Sequence, residues 1–220
     1  MKTAYFWLTP QGKQLAEQLQ AHFGGTVEPK ADFAEAVRRA FADCDALVFV
    51  MAAGIVVRTI APLVQSKASD PAVLVLDQRG KHVISLLSGH LGGANAMAEQ
   101  AAAYLGGEAV ITTATDVEHV PAFDLFAKEN HLTIENLEEL KYISGALVAG
   151  EPVSLCTAFP VEKNAFPETV QLQSFSETPW HACAVAIADT TESVAAPHVL
   201  YLRPKSLVLG VGCKKQIPPA

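Results

Sequence analysis

The stretch Ser85-Leu-Leu-Ser-Gly-His-Leu-Gly-Gly-Ala-Asn95 organises the first half of this sequence. The apolar residues 83–87 predict a buried strand, and the glycine-rich turn after them leads into an alanine-rich helix over residues 92–105. A strand, a glycine turn and a helix in this order aim backbone N–H groups and a helix N-terminus at a ligand, often an anionic one. A tight turn in which His90 and Asn95 only cap or pack fits the same residues. The pattern by itself leaves both interpretations open.

Strands and helices alternate through residues 1–116. This alternation predicts an α/β fold, in which a mostly parallel sheet carries helices on both faces. Ligands of such sheets bind outside the carboxyl ends of the strands. Polar or glycine-containing candidates follow three predicted strands, at Gly54 with Arg58, at Asp77 and at residues 88–95. We therefore expect these three groups to converge on one site.

The pattern changes after residue 116. Two helices and then short strands predict a second, smaller α/β domain over residues 117–204, without a recognisable chemical motif. Beyond it, an apolar run from Ser206 enters a Gly-x-Gly-Cys213 turn. Because a strand with a glycine turn normally opens a domain, we expect residues 205–220 to be the truncated start of a C-terminal domain.

Charge and composition exclude several classes of protein. The net charge of −7 argues against a nucleic-acid-binding protein, which normally presents a basic face. Residues 54–93 hold four basic and two acidic side chains, which fits a small anionic ligand as well as ordinary surface charge. No apolar run approaches the roughly 20 residues of a membrane span, and the N-terminus lacks a signal-peptide pattern. We therefore expect no membrane contact and a cytoplasmic location.

Cysteine and histidine spacing predicts no metal site in the protein. The four cysteines form no C-x-x-C pair, and the seven histidines are scattered without helical spacing. Reduced thiols also fit the cytoplasm.

Four motifs follow one another in the first domain. They are Val50-Met-Ala-Ala-Gly-Ile-Val-Val-Arg58, Asp70-Pro71 with Val75-Leu-Asp77, Leu87-Ser-Gly-His-Leu-Gly-Gly-Ala-Asn95, and Ile111-Thr-Thr-Ala-Thr-Asp116. In order and spacing they resemble the N-terminal domain of the cobalamin-biosynthesis protein CbiG family. Residues 117–204 are similar to the middle domain of that family, and residues 207–214 to the first strand and turn of its C-terminal domain.

The resemblance implies a cobalt-precorrin-5A hydrolase of anaerobic cobalamin biosynthesis. Such an enzyme opens the δ-lactone of a cobalt-bearing tetrapyrrole and releases acetaldehyde, giving cobalt-precorrin-5B, so it acts on a carbon–carbon bond. The substrate carries the cobalt, and no separate cofactor is expected. The alternative is a non-catalytic portion that binds a corrinoid or a small anion and whose active site the C-terminal domain completes. Other enzymes of the pathway, or a second copy of the chain, are conceivable partners.

For this reaction we predict His90 as the general base, because the pKa of imidazole lies near neutrality. Asp77 is predicted to orient a histidine or to act as a second base. Lactone opening also needs donors for the developing oxyanion. We expect the backbone N–H groups of Gly92 and Gly93, with Asn95, to hold this oxyanion or a peripheral carboxylate.

Arg58 is expected to pair with a carboxylate arm of the macrocycle, because its planar guanidinium suits a carboxylate. Purely structural roles stay open for each of these residues. The remaining predicted substrate-binding positions are Gly54, Ser88, Gly89, Thr113 and Asp116.

Overall fold

The computed structural model of the chain describes residues 1–67, 69–160, 166–189 and 194–205. The chain divides into two compact units, Met1–Leu125 and Phe126–Ala220. Each unit contains one β-sheet with helices, which confirms the predicted α/β class. The expected start of a C-terminal domain, including Cys213, falls on residues 206–220 and lies outside the described residues.

The first unit runs beyond residue 116, where the sequence pattern changes. Residues 117–125 belong to it. One reason is an ion pair inside this unit, in which Asp124 Oδ1 lies 3.2 Å from His90 Nδ1. A boundary drawn from the change of pattern would separate these two side chains.

The described residues of the first unit form a six-stranded sheet in the order β2-β1-β3-β4-β5-β6. Its strands are β1 (Thr3–Trp7), β2 (Thr26–Val27), β3 (Ala46–Val50), β4 (Ala72–Leu76), β5 (His82–Leu87) and β6 (Glu108–Val110). The helices are α1 (Pro10–Phe23), α2 (Phe33–Asp43), α3 (Ala53–Ile60), α4 (Ala94–Leu105) and the short α5 (Ala114–Val117), and α6 (Phe123–Glu129) begins in this unit. Most neighbouring strands are parallel, as the alternation of strands and helices predicts.

The sheet lies between two helical layers. Successive side chains of a strand point to opposite faces, so the fully apolar strand β4 contributes core side chains to both layers. Leu74 and Leu76 pack with α1 and α4, whereas Val73 and Val75 pack with α2 and α3. This explains why the central strands read as continuous apolar runs.

Strands β4 and β5 run antiparallel. Residues 77–81 join them, and so short a connection cannot make a parallel crossover, which needs about a dozen residues or more. Because β6 is parallel to β5, both strands run opposite to β1, β3 and β4. The carboxyl ends of β5 and β6 therefore lie at one edge of the sheet, and those of β1, β3 and β4 at the other. The predicted convergence of three strand ends on one site is wrong.

The second unit has a five-stranded sheet among its described residues, in the order β7-β11-β10-β8-β9. The strands are β7 (Leu132–Ile134), β8 (Val153–Thr157), β9 (Val170–Gln173), β10 (Cys183–Ile187) and β11 (His198–Pro204), with helix α7 at Leu140–Val148. Only β7 is antiparallel to its neighbour. Cys156 and Cys183 are buried within β8 and β10 as free thiols.

None of the helices in the described parts of the chain combines the length and the apolar character that crossing a bilayer requires.

Candidate functional site

The turn between β5 and α4 uses much of its backbone internally. Ser88 and Gly93 adopt positive φ angles of 58° and 87° and reverse the chain. The N–H of Gly93 donates to the carbonyl of His90 at 3.0 Å, and the N–H of Asn95 donates to the carbonyl of Gly89 at 3.1 Å. The prediction that the Gly93 N–H holds an oxyanion is therefore wrong for this conformation, because that N–H already has an acceptor.

Two glycines of this turn are explained by packing. A Cβ atom on Gly92 would overlap the Ser88 side chain and lie 2.7 Å from the Ser88 carbonyl oxygen. On Gly89, a Cβ would lie 2.7 Å from Asn95 Oδ1. The Ser88 hydroxyl donates to the carbonyl of Asp70 at 2.9 Å, which ties the turn to the start of β4. We infer that these residues shape the turn, while the substrate contacts predicted for them, including that of the Gly92 N–H, stay predictions.

Asn95 is the polar centre of the turn and is buried, at 7% exposure. Its Oδ1 accepts the Ser85 hydroxyl at 2.6 Å, and its Nδ2 donates to Thr113 Oγ1 at 2.8 Å and to Asp116 Oδ2 at 3.1 Å. Because both ends of the amide are bonded within the protein, Asn95 is a positioning residue here, and its predicted oxyanion contact is not supported. It joins β5, α4 and α5 at one point.

His90 lies between two carboxylates. Its Nε2 is 2.6 Å from Asp116 Oδ2, and its Nδ1 is 3.2 Å from Asp124 Oδ1. The side chains of His90 and Asp124 are each 10% exposed, whereas Asp116 is 33% exposed. Thr115 Oγ1 adds a longer contact to Nε2 at 3.4 Å. The solvent-facing member of the cluster is therefore Asp116.

The two carboxylates set the charge of His90. Hydrogen bonding to Asp124, and then to Asp116, raises the pKa of His90 to about 9, although burial opposes the shift. At neutral pH the ring is thus an imidazolium that donates from both nitrogens. The prediction of His90 as a general base of near-neutral pKa is wrong for this state, because the ring already carries the proton that a base would accept.

Asp124 was not predicted from the sequence. Burial alone would raise the pKa of its carboxyl, but the bond to His90 and the N–H of Leu125 hold that pKa below its ordinary value. An acidic residue within the apolar run from Phe123 to Phe126 was the available signal, since a charged side chain in such a run is buried only with a partner.

Asp77 belongs to the β4–β5 turn. Its carboxylate accepts the backbone N–H groups of Arg79 at 2.8 Å and His82 at 2.7 Å, and lies 3.4 Å from the His82 ring. Burial opposes the effect, but these donors lower the pKa of Asp77. Asp77 lies at the end of β4, and His90 follows the end of β5, so they occupy opposite edges of the sheet. The histidine beside Asp77 is therefore His82 and not His90, and the role of Asp77 as a second base stays a prediction.

Gly54 and Arg58 also lie away from His90, on helix α3 after the carboxyl end of β3. Both are exposed, and Arg58 Nη1 donates to the Gly54 carbonyl at 3.0 Å. The structure thus brings together His90, Asn95, Thr113 and Asp116, and separates Gly54, Arg58 and Asp77 from them.

The His90 cluster, defined as His90, Asp116 and Asp124, is suited to proton transfer. An imidazolium can donate a proton to a developing alkoxide, and the partly exposed carboxylate of Asp116 beside it can accept one from water. Because His90 Nε2 and Asp116 Oδ2 are in direct contact, a proton taken up by Asp116 can pass to His90 and restore the imidazolium.

Two family descriptions match this chain. "Cobalamin synthesis G N-terminal" matches residues 35–116, and "Cobalamin biosynthesis central region" matches residues 121–204. A cobalt-precorrin-5A hydrolase from Salmonella typhimurium is 37% identical over 98% of this chain, and one from Priestia megaterium is 36% identical over 77%. The chain spans 66% and 48% of the lengths of these two relatives.

A solved structure shares the fold. The crystal structure of a cobalamin biosynthesis protein G homolog from Sulfolobus solfataricus superposes with a TM-score of 0.54 and 24% identity, covering 92% of this chain and 60% of that one. The resemblance inferred from the four motifs is confirmed by these matches, which together take in most of the sequence. The chain belongs to the cobalamin synthesis protein G (CbiG) family, of which it carries the N-terminal and central regions.

Proposed function

We propose that this chain acts as a cobalt-precorrin-5A hydrolase in cobalamin biosynthesis. The names and the identity of its relatives support this activity. The proposed reaction opens the δ-lactone of the substrate and then breaks a carbon–carbon bond to release acetaldehyde. Cobalt enters as part of the tetrapyrrole substrate, and we propose no resident metal or cofactor.

The observation on which the mechanism rests is the charged His90 between Asp116 and Asp124. In the first step, water adds to the lactone carbonyl carbon while Asp116 takes its proton. The ring C–O bond breaks, and His90 donates its Nε2 proton to the departing alkoxide oxygen. The proton on Asp116 then returns to His90 across their 2.6 Å contact. General acid and base assistance of this kind typically supplies about 10²–10⁴-fold in rate.

The second step releases the two-carbon fragment. Asp116, again a carboxylate, removes the proton of the newly freed hydroxyl group. The oxygen electron pair becomes the carbonyl of acetaldehyde, and the electrons of the broken C–C bond pass into the macrocycle. In this scheme Asp124 does not touch the substrate; it holds His90 in its orientation and charge.

Acetaldehyde release from cobalt-precorrin-5A tests this proposal directly. We expect the unaltered chain to release acetaldehyde and His90→Gln to be slower by about 10²–10⁴-fold. His22→Gln, which changes an exposed histidine elsewhere in the same unit, should keep the full rate. No release by the unaltered chain would contradict the proposed activity, and full turnover by His90→Gln would remove His90 from the mechanism.

A further inference from the structure

A concave site lies at the opposite edge of the first-unit sheet from the His90 cluster. This carboxyl-edge cavity has a volume of about 670 Å³ and opens beside the ends of β3 and β4. Its lining includes Val50, Ile55, Val75, Ile84 and Val110. A cavity of this size lies within the range of small-molecule sites, and the carboxyl ends of strands are where α/β sheets commonly bind ligands.

The floor of the cavity is an apolar surface of the sheet. Val75 pairs in register with Ile84, and Ile84 pairs with Val110, so the three side chains form one row across β4, β5 and β6. Helix α4 covers the other face of these strands. A row of aliphatic side chains on a sheet offers an extended surface to a flat, largely apolar ligand.

Two cations, defined here as the rim cations, bond to the backbone of lining residues or of their direct neighbours in the chain. Lys30 Nζ donates to the carbonyl of Leu8 at 2.9 Å, and Leu8 lines the cavity. Arg58 Nη1 donates to the Gly54 carbonyl in the first turn of α3. No side chain of the described residues caps the N-terminus of this helix. Asp77, the acidic residue in the lining, is already bonded to two backbone N–H groups. An apolar floor with a cationic rim matches a planar molecule that bears carboxylate arms.

We infer that the carboxyl-edge cavity binds the edge of a corrinoid macrocycle, with Arg58 and Lys30 facing its carboxylate arms. This inference rests on the proposed function for the identity of the ligand. Residues 85–87 of β5 separate the cavity-lining Ile84 from the turn of His90, a length of about 10 Å at 3.3 Å per residue. Binding at the cavity and proton transfer at His90 therefore use different residues, and substitutions can separate them.

Two exposed side chains of α3 provide a matched pair for the binding test. Ile55 lines the cavity and Val57 does not, although they are 39% and 47% exposed. The probe is cobyrinic acid, a cobalt corrin whose arms end in free carboxylates, measured by equilibrium dialysis and its visible absorbance. Ile55→Glu should weaken binding by about tenfold or more, because it places a negative charge against the apolar floor. Val57→Glu should bind like the unaltered chain.

The rim cations are tested in the same assay. Arg58→Gln should weaken binding of cobyrinic acid by about three- to tenfold, since a charge-assisted hydrogen bond is lost. Arg39→Gln, which removes an exposed cation from α2, should have no effect. Cobinamide, whose arms are amides, should bind the unaltered chain more weakly than cobyrinic acid. Equal binding of the two corrins would overturn the role of the cations.

Turnover distinguishes this inference from the proposed function. With cobalt-precorrin-5A, Ile55→Glu should raise KM and leave kcat unchanged, whereas His90→Gln should lower kcat and still bind cobyrinic acid. If Ile55→Glu and Val57→Glu bind equally well, or if the unaltered chain binds no cobyrinic acid, the cavity is not the corrinoid site, even where acetaldehyde release succeeds.

Discussion

His90 owes its charge to two carboxylates that lie far from it in the sequence. In the unfolded chain an imidazole keeps its ordinary pKa of 6.5, whereas in the folded protein the pKa of His90 is raised to about 9. Below about pH 6.5 the ring is protonated in both states, so the full stabilisation is present. Between these two values only the folded state holds the proton, and the free energy of unfolding falls as the pH rises.

The first prediction at the residue scale concerns this dependence on pH. Raising the pH from 6 to 9.5 should lower the free energy of unfolding by about 3 kcal/mol through His90, since one pKa unit corresponds to about 1.4 kcal/mol. Urea unfolding at both pH values, followed by circular dichroism, measures it. His90→Gln should lose this dependence and His22→Gln should keep it. An equal dependence in all three proteins would show that His90 is not held as an imidazolium.

At the scale of elements, the β4–β5 hairpin decides which candidate residues share a site. Its turn is stabilised by Asp77, which accepts two backbone N–H groups, and by Gly80, whose φ of 66° suits the reversal. Short acidic side chains commonly stabilise turns in this way. We therefore assign Asp77 to the hairpin and not to the reaction.

A substitution separates these two roles of Asp77. Asp77→Ala should lower the free energy of unfolding by about 1 kcal/mol, because the N–H groups of Arg79 and His82 lose their acceptor and turn to water. Asp77→Asn retains one acceptor oxygen, so its free energy of unfolding should fall by less than that of Asp77→Ala. Denaturant unfolding measures both, and kcat for acetaldehyde release should stay unchanged. A large loss of kcat at unchanged stability would return Asp77 to the mechanism.

On the scale of the whole molecule, the first unit ends after Asp124 and includes both carboxylates of the His90 cluster. It also has its own two core layers around a six-stranded sheet. We predict that a fragment of residues 1–125 unfolds cooperatively by itself. A fragment of residues 1–116 lacks Asp124, so His90 keeps only its contact with Asp116 among the two carboxylates. Its free energy of unfolding should be lower than that of the 1–125 fragment by about 2 kcal/mol or more.

Thermal and urea unfolding of the two fragments check this prediction. Asp124→Asn in the longer fragment serves as the control, because it removes the carboxylate and keeps residues 117–125. It should reproduce much of the loss at neutral pH. If the 1–116 fragment is as stable as the longer one, the contact between Asp124 and His90 contributes nothing to the folding of this unit.

The sequence by itself determined the α/β class, the order of most elements and the family, because apolar periodicity and turn residues are local and the four motifs are specific. It also named His90, Asn95, Thr113 and Asp116 as candidate site residues, although in one set with Gly54, Arg58 and Asp77. Tertiary structure alone decided the direction of β5, which moved Gly54, Arg58 and Asp77 to the other edge of the sheet. It alone brought Asp124 to His90. Strand direction and charge state depend on contacts between distant segments, and local sequence patterns do not record such contacts.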